Sequence, residues 1–257
     1  MQKVFIKNRH DKKIAVIIEE PEKPIGLAFV MHGLGGIKEA PHIQTFAQVF
    51  LNNNYATIRF DVTHTYGESE GDYEDSSITN YFEDLEDVIN WSKKQAWYQE
   101  PFILCGHSLG GICSILYAYK NPAELKALAP ISTVISGEWL LEDNYTKDER
   151  ANWKKTGLFI NESASQPGLI KRLKWDFTKD IAKYNILDNA NKISVPTFLL
   201  VGEVDKACPP ARQQVLFDRL VCPKELHIIK NAPHTFRDVK QLQEIYYLLD
   251  KWLKSLN

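Results

Sequence analysis

Features that mark many other protein classes are scarce in this 257-residue chain. There are four cysteines, Cys105, Cys113, Cys208 and Cys222, and none forms a Cys-x-x-Cys pair, so zinc-ribbon spacing is absent. Buried thiols in a reducing compartment are the expectation. Neither charge sign dominates: 31 Lys+Arg against 33 Asp+Glu leave a net −2, which argues against holding nucleic acid mainly by charge. With 13 Gly and 12 Pro, the chain is neither fibrous nor of low complexity. The longest apolar run, Ile25–Met31, is far short of the ~20 residues needed to span a bilayer. Met1 to Lys13 is polar and basic without an apolar core, so no secretory signal is read and a cytoplasmic location is expected. What is present is the ordinary balance of a soluble globular domain, 44% hydrophobic and 25% charged, with enough apolar surface to offset chain entropy.

Hydrophobic periodicity divides the chain into alternating elements. Val4–Lys7 and Ile14–Glu19 read as a hairpin around Asn8–Lys13. Ile25–Met31 has the continuous apolar pattern of a strand buried on both faces, and Tyr55–Phe60, Pro101–Cys105, Leu125–Ile131, Thr197–Val201 and Glu225–Ile229 are further strands. Helices are expected over Ala40–Asn52, Tyr81–Lys93, Ile112–Tyr119, Ala211–Leu220 and Leu242–Leu256. Strands alternating with helices imply βαβ units and a mainly parallel sheet flanked by helices. Gly137 to Asn191 breaks the alternation. It carries Trp139, Trp153 and Trp175 and the basic cluster Lys171, Arg172 and Lys174, with helical patches and no convincing strand. We therefore expect one domain over residues 1–257, with residues 137–191 a small helical cap inserted in it. Lys171–Lys174 reads as a solvated helix face, and the tryptophans as either a pocket wall or core packing.

The sharpest motif is Gly106-His107-Ser108-Leu109-Gly110-Gly111, which follows a buried strand and opens a helix. That is the setting of the G-x-S-x-G elbow, where small residues at 106 and 110 allow a turn tight enough to hold the serine out over the sheet edge. The helix start directs free amides and a positive dipole end to the same place. A serine hydroxyl needs a base to remove its proton. In such sheets an acid and then a histidine follow in chain order. Asp205, just after the strand Thr197–Val201, and His234, just after Glu225–Ile229, fall where the order requires them. Glu203 is the rival acid, and Pro209 beyond Asp205 is a rigid stop. Asp61, after Tyr55–Phe60, reads as part of a turn network.

The loop His32-Gly33-Leu34-Gly35-Gly36 follows the strand Ile25–Met31. A tetrahedral intermediate needs two preorganised donors for its oxyanion, and the backbone N–H groups of Leu34 and Leu109 are the candidates. His32 and Gly33 shape that loop, and Gly106, His107 and Gly110 support the elbow. His10 and His42 sit in polar stretches and are expected to be exposed. His227 lies inside a strand as a structural residue. His64 is placed in a loop that could line the site.

These residues resemble the α/β-hydrolase superfamily over nearly the whole chain outside the insertion. The His32-Gly33 turn, the elbow, and Ser108, Asp205 and His234 fit in order and context. Within the superfamily the layout is similar to small bacterial cinnamoyl (feruloyl) esterases and, more distantly, to monoacylglycerol lipases. Gly202–Asp205 with Pro209, Asn231–His234 with Phe236, and the insertion after Ile131 carry that likeness. The resemblance implies a cap over the active site, no metal and no organic cofactor. It implies a serine esterase acting on small acyl or aryl esters, hydroxycinnamates among them. A lysophospholipase or monoacylglycerol lipase, a thioesterase or an aminopeptidase-like hydrolase on the same triad is the alternative. The expected partner is a small-molecule ester, with no nucleic acid and no stable membrane insertion; a homodimer stays open. The chain departs from the family pattern at Asp61–Gly71, which is one residue longer than the usual D-x-x-G-H-G-x-S-x-G and lacks its first glycine. His64 and Tyr66 stand there in place of small residues.

Overall fold

Ten strands and eight α-helices are described in a computed structural model, which covers residues 1–163 and 167–256. Residues 164–166, within the expected insertion, and residue 257 lie outside the described residues. The chain starts as the hairpin β1 (Gln2–Lys7) and β2 (Lys13–Glu19), paired antiparallel. β3 (Gly26–Met31) follows and is buried at every position, as its unbroken apolar run requires. Helix α1 (Pro41–Asn52) leads to β4 (Tyr55–Phe60), and α2 (Ile78–Ser92) to β5 (Phe102–His107). Pro41 tolerates the first turn of α1, where its missing N–H costs nothing. Ser77 caps α2 by accepting from Asn80 N at 3.0 Å. Helix α3 (Leu109–Lys120) then leads to β6 (Leu125–Ile131).

Between β6 and the next sheet strand come α4 (Gly137–Asn144), α5 (Lys147–Thr156), β7 (Leu158–Glu162), β8 (Ile170–Lys174) and α6 (Asp176–Ile181). A capping box between Thr146 and Glu149 starts α5, and Gly157, at φ +76°, ends it. The chain returns to the sheet through β9 (Thr197–Gly202), α7 (Pro210–Arg219), β10 (Lys224–Ile229) and α8 (Val239–Ser255).

The eight-stranded sheet has the order β1-β2-β4-β3-β5-β6-β9-β10. β4, β3, β5, β6, β9 and β10 are mutually parallel, and β2 joins β4 antiparallel. One face carries α1 and α8 over Phe46, Phe50, Phe198, Leu249 and Trp252. The other carries α2, α3 and α7 over Phe29, Phe102, Leu85, Ile112 and Leu216. This is the mainly parallel, helix-flanked sheet expected from the alternation, and the α/β-hydrolase architecture that the resemblance implies. The strand order reverses about β3 and β5, and open α/β sheets place their sites at the carboxyl ends of strands beside such a switch.

The segment between β6 and β9 corrects one expectation. It is not purely helical: β7 and β8 pair antiparallel, with Phe159 opposite Leu173 and Asn161 opposite Lys171. The basic cluster therefore lies on a strand, where alternate side chains part to opposite faces. Leu173 is buried, Lys171 half-buried and Arg172 exposed. Trp153 is fully buried among Tyr145, Phe159, Trp175 and Phe177, and its indole N–H donates to Leu173 O at 2.9 Å. This tryptophan is core packing of the inserted layer. Trp139 stacks on the Arg212 guanidinium at 4.1 Å, tying α4 to α7.

Candidate active site

Ser108 sits between β5 and α3 at φ 57° and ψ −114°, a strained position for a residue with a side chain. Ser108 N donates to Ile131 O at 3.0 Å, and Val134 N donates to Ser108 O at 3.2 Å, so the neighbouring strand holds the turn. The elbow closes because Gly106 has no side chain: a Cβ there would stand 2.1 Å from Gly110 O. The serine is 5% exposed.

The β9 and β10 loops bring the other two groups. They are stitched by Glu203 N to Ile229 O at 2.9 Å and Val204 N to Ala232 O at 3.1 Å. Glu203 is spent on this stitching, since its Oε2 accepts from Asn231 N at 2.8 Å. Asp205 is buried, and its Oδ1 accepts from Ala207 N at 2.9 Å and Cys208 N at 2.8 Å. Its Oδ2 is left for His234 Nδ1, 2.9 Å away. A carboxylate only accepts, so the imidazole proton belongs on Nδ1 and the Nε2 lone pair faces Ser108 Oγ at 3.0 Å. Ser108, Asp205 and His234, from three separate strand ends, thus form one hydrogen-bonded chain.

The β3 turn lies against the serine, with the Cβ position of Gly33 2.6 Å from Ser108 Cβ. His32 is fully buried; its Nε2 accepts from Val62 N at 3.2 Å, and its Nδ1 donates to Gly33 O at 2.8 Å. Burial pushes its pKa down and keeps it neutral. Gly36 N closes the turn on Gly33 O at 2.9 Å, leaving Leu34 N unpaired among the described residues. Leu109 N, in the first turn of α3, has no acceptor within its own helix.

Sequence reasoning missed two residues that support the loops around the site. Tyr81 OH donates to Gly33 O and accepts from Gly35 N, both at 3.2 Å. Its only signal was a place on the apolar face of α2. Lys38, fully buried, binds Asp61 at 2.7 Å and reaches Glu68 at 2.6 Å. Asp61 also accepts from the backbone N–H of Lys38 at 2.7 Å and of Glu68 at 2.8 Å. Asp61 is thus the anchor of a turn network, as expected, while its lysine carried no sequence pattern.

The remaining histidines divide. His107 is buried, donates from Nε2 to His234 O at 2.8 Å, and rests 4.7 Å from the His234 ring. His42 corrects the expectation of exposure. It is buried 4.5 Å from the His107 ring and 5.8 Å from Phe46, and burial pulls its pKa down to about 3. His10 lies on the surface beside Glu83, and His227 on edge strand β10 beside Glu225. His64 does not join the site: its Nδ1 meets Asp72 O at 3.0 Å and its Nε2 meets Lys12 Nζ at 2.5 Å. Tyr66 does approach, stacked on Tyr73 beside Gly35.

Residues 22–237 match the family described as serine aminopeptidase, S33. An uncharacterized 31.7 kDa protein from the traX-finO intergenic region of Escherichia coli is 26% identical over 254 residues, covering 86% of this chain and 88% of that one. The bovine mitochondrial palmitoyl-protein thioesterase ABHD10 is 22% identical over 204 residues, covering 79% of this chain and 65% of its own. Among solved structures, Est1E from Butyrivibrio proteoclasticus with bound ferulic acid superposes with a TM-score of 0.84 at 19% identity, covering 98% of both chains.

Proposed function

From its membership of the serine aminopeptidase S33 family of α/β-hydrolases, which the match over residues 22–237 establishes, we propose that this chain is a serine hydrolase of carboxylic esters. The observation that carries the proposal is the Asp205–His234–Ser108 chain, with bonds of 2.9 and 3.0 Å and every acceptor and donor correctly paired. Ser108 Oγ attacks the ester carbonyl carbon, and its proton passes to His234 Nε2. The carbonyl oxygen becomes an oxyanion, which Leu34 N–H and Leu109 N–H bind. As the intermediate collapses, the C–O bond breaks and the alkoxide leaves with the proton from His234. Water, deprotonated by the same imidazole, releases the acid and restores Ser108. Asp205 orients the ring and stabilises its charged form.

Small acyl or aryl esters, hydroxycinnamates among them, are the proposed substrates; the likeness to Est1E, crystallised with ferulic acid, supports the aryl class. Thioesters are a second reading, favoured by the name of the bovine thioesterase relative. No described helix is long and apolar enough to cross a membrane. Four free buried thiols support a cytoplasmic location.

The test is Ser108→Ala with p-nitrophenyl butyrate and its thioester counterpart. Turnover should fall about 10⁵–10⁶-fold with the unfolding midpoint retained. A fluorophosphonate probe should label the native protein at Ser108. Full activity in the variant, or no label on the native protein, overturns the proposal.

A further inference from the structure

Beside the oxyanion turn, a cation and two phenol hydroxyls have no hydrogen-bond partner or counter-ion among the described residues. Lys171 reaches in from β8 and sets its ammonium over the Tyr66 and Tyr73 rings, 6.0 and 5.8 Å from their centroids. Those rings stack at 4.6 Å. All three side chains converge on Gly35. Its Cβ position lies 2.8 Å from Tyr73 Cε2 and 3.4 Å from both Lys171 Nζ and Tyr66 Cε2. Gly35 is the residue after Leu34, so the ammonium stands on the wall of the site proposed above.

Lys171 makes no ion pair or hydrogen bond among the described residues. Other lysines nearby are satisfied: Lys174, on the same strand, binds Asp75 at 2.6 Å and Glu74 at 3.1 Å, and Lys38 has three carboxylates. Burial pulls the Lys171 pKa down, and the positive charge of Arg237, three residues beyond His234, adds to this. Burial raises the Tyr73 phenol. The Tyr66 and Tyr73 hydroxyls make no hydrogen bond among the described residues. A half-buried cation without a counter-ion is costly, and a second cation nearby makes it costlier. An anion arriving beside the Lys171 ammonium offsets this cost, and phenol donors complete its coordination.

We propose that Lys171, with Tyr66 and Tyr73, forms a subsite for a carboxylate carried by the ester substrate. This deepens the esterase reading and rests on it. The enzyme then prefers anionic esters to neutral ones of equal length. The same charge repels the free ammonium that an aminopeptidase substrate carries.

The experiment compares kcat/KM for p-nitrophenyl hemiglutarate, a monoanion, with that for neutral p-nitrophenyl pentanoate. The native ratio should exceed one. Lys171→Met should lower the ratio about tenfold, and Lys171→Arg should restore most of it. Lys179→Gln, elsewhere on the insertion, should leave it unchanged. Glutarate should compete with the anionic ester. An unchanged ratio in Lys171→Met, an equal loss on both esters, or inhibition by inorganic phosphate without inhibition by glutarate overturns the subsite. Fluorophosphonate labelling separates the two readings. With Ser108 labelled and the ratio flat, only the subsite falls; without label, both fall.

Discussion

Asp205 is the residue on which the geometry of the imidazole depends. Two backbone amides hold one of its oxygens, at 2.9 and 2.8 Å, so the other can face only His234. Asp205→Asn keeps the shape but presents an amide where the ring needs an acceptor. The ring then turns or takes the wrong tautomer. Turnover should drop about 10³–10⁴-fold in steady-state assays while the thermal midpoint stays near that of the native protein. A variant with more than a tenth of native kcat would show that Asp205 does not orient the base. The choice of Asp205 over Glu203 was open to a spacing argument, and the structure gives its reason, since Glu203 is bonded to Asn231 N. The burial of His42 has a related reason. Its neighbours in sequence, Pro41 and Gln44, are partly or fully exposed, but His42 itself turns inward to His107. Burial is a property of the partner surface, and no neighbouring letter encodes it.

At the scale of elements, the elements of the main sheet announced themselves and the inserted hairpin did not. β3 and β5 are read from continuous apolar runs, and α8 from its amphipathic period. β7 and β8 are five residues each, and only Leu173 of β8 is buried. With two apolar positions three residues apart, Ile170 and Leu173, and three basic ones, the pattern matches a helix face as well as a strand. What fixes this hairpin is contact with Trp153. The indole fills the space between α5, β7 and α6 and bonds Leu173 O. Trp153→Ala leaves a cavity and an unpaired carbonyl, at a cost of about 3–5 kcal/mol. Hydrogen exchange should accelerate through residues 145–177 while β3 and β5 stay protected. Uniform loss of protection, or none, would contradict a local role.

The whole molecule should respond to acid through its buried histidines. His32, His42 and His107 are buried beneath the site, and burial lowers the pKa of each. The unfolded chain takes protons near pH 6.5, whereas folded His42 takes one only near pH 3. Between those limits the unfolded state binds more protons, so stability falls as pH falls. For His42 the slope is about 1.4 kcal/mol per pH unit within that window. Urea midpoints measured from pH 7 to pH 4 should decline, and His42→Phe should flatten the decline. Equal slopes in the two proteins would rule out this source.

The sequence by itself determined the alternation of strands and helices, the elbow around Ser108 and the order of serine, acid and histidine. Each is a local matter: periodicity, a glycine-permitted turn, or position just after a strand. Only the tertiary structure decided what meets what. Ser108, Asp205 and His234 are up to 126 residues apart and converge because β5, β9 and β10 end on one edge of the same sheet. The Lys38–Asp61 pair, the buried histidine stack and the approach of Lys171 to Gly35 join segments remote in sequence. Side-chain contact is a through-space property, and the chain's letters fix it only once the sheet has been assembled.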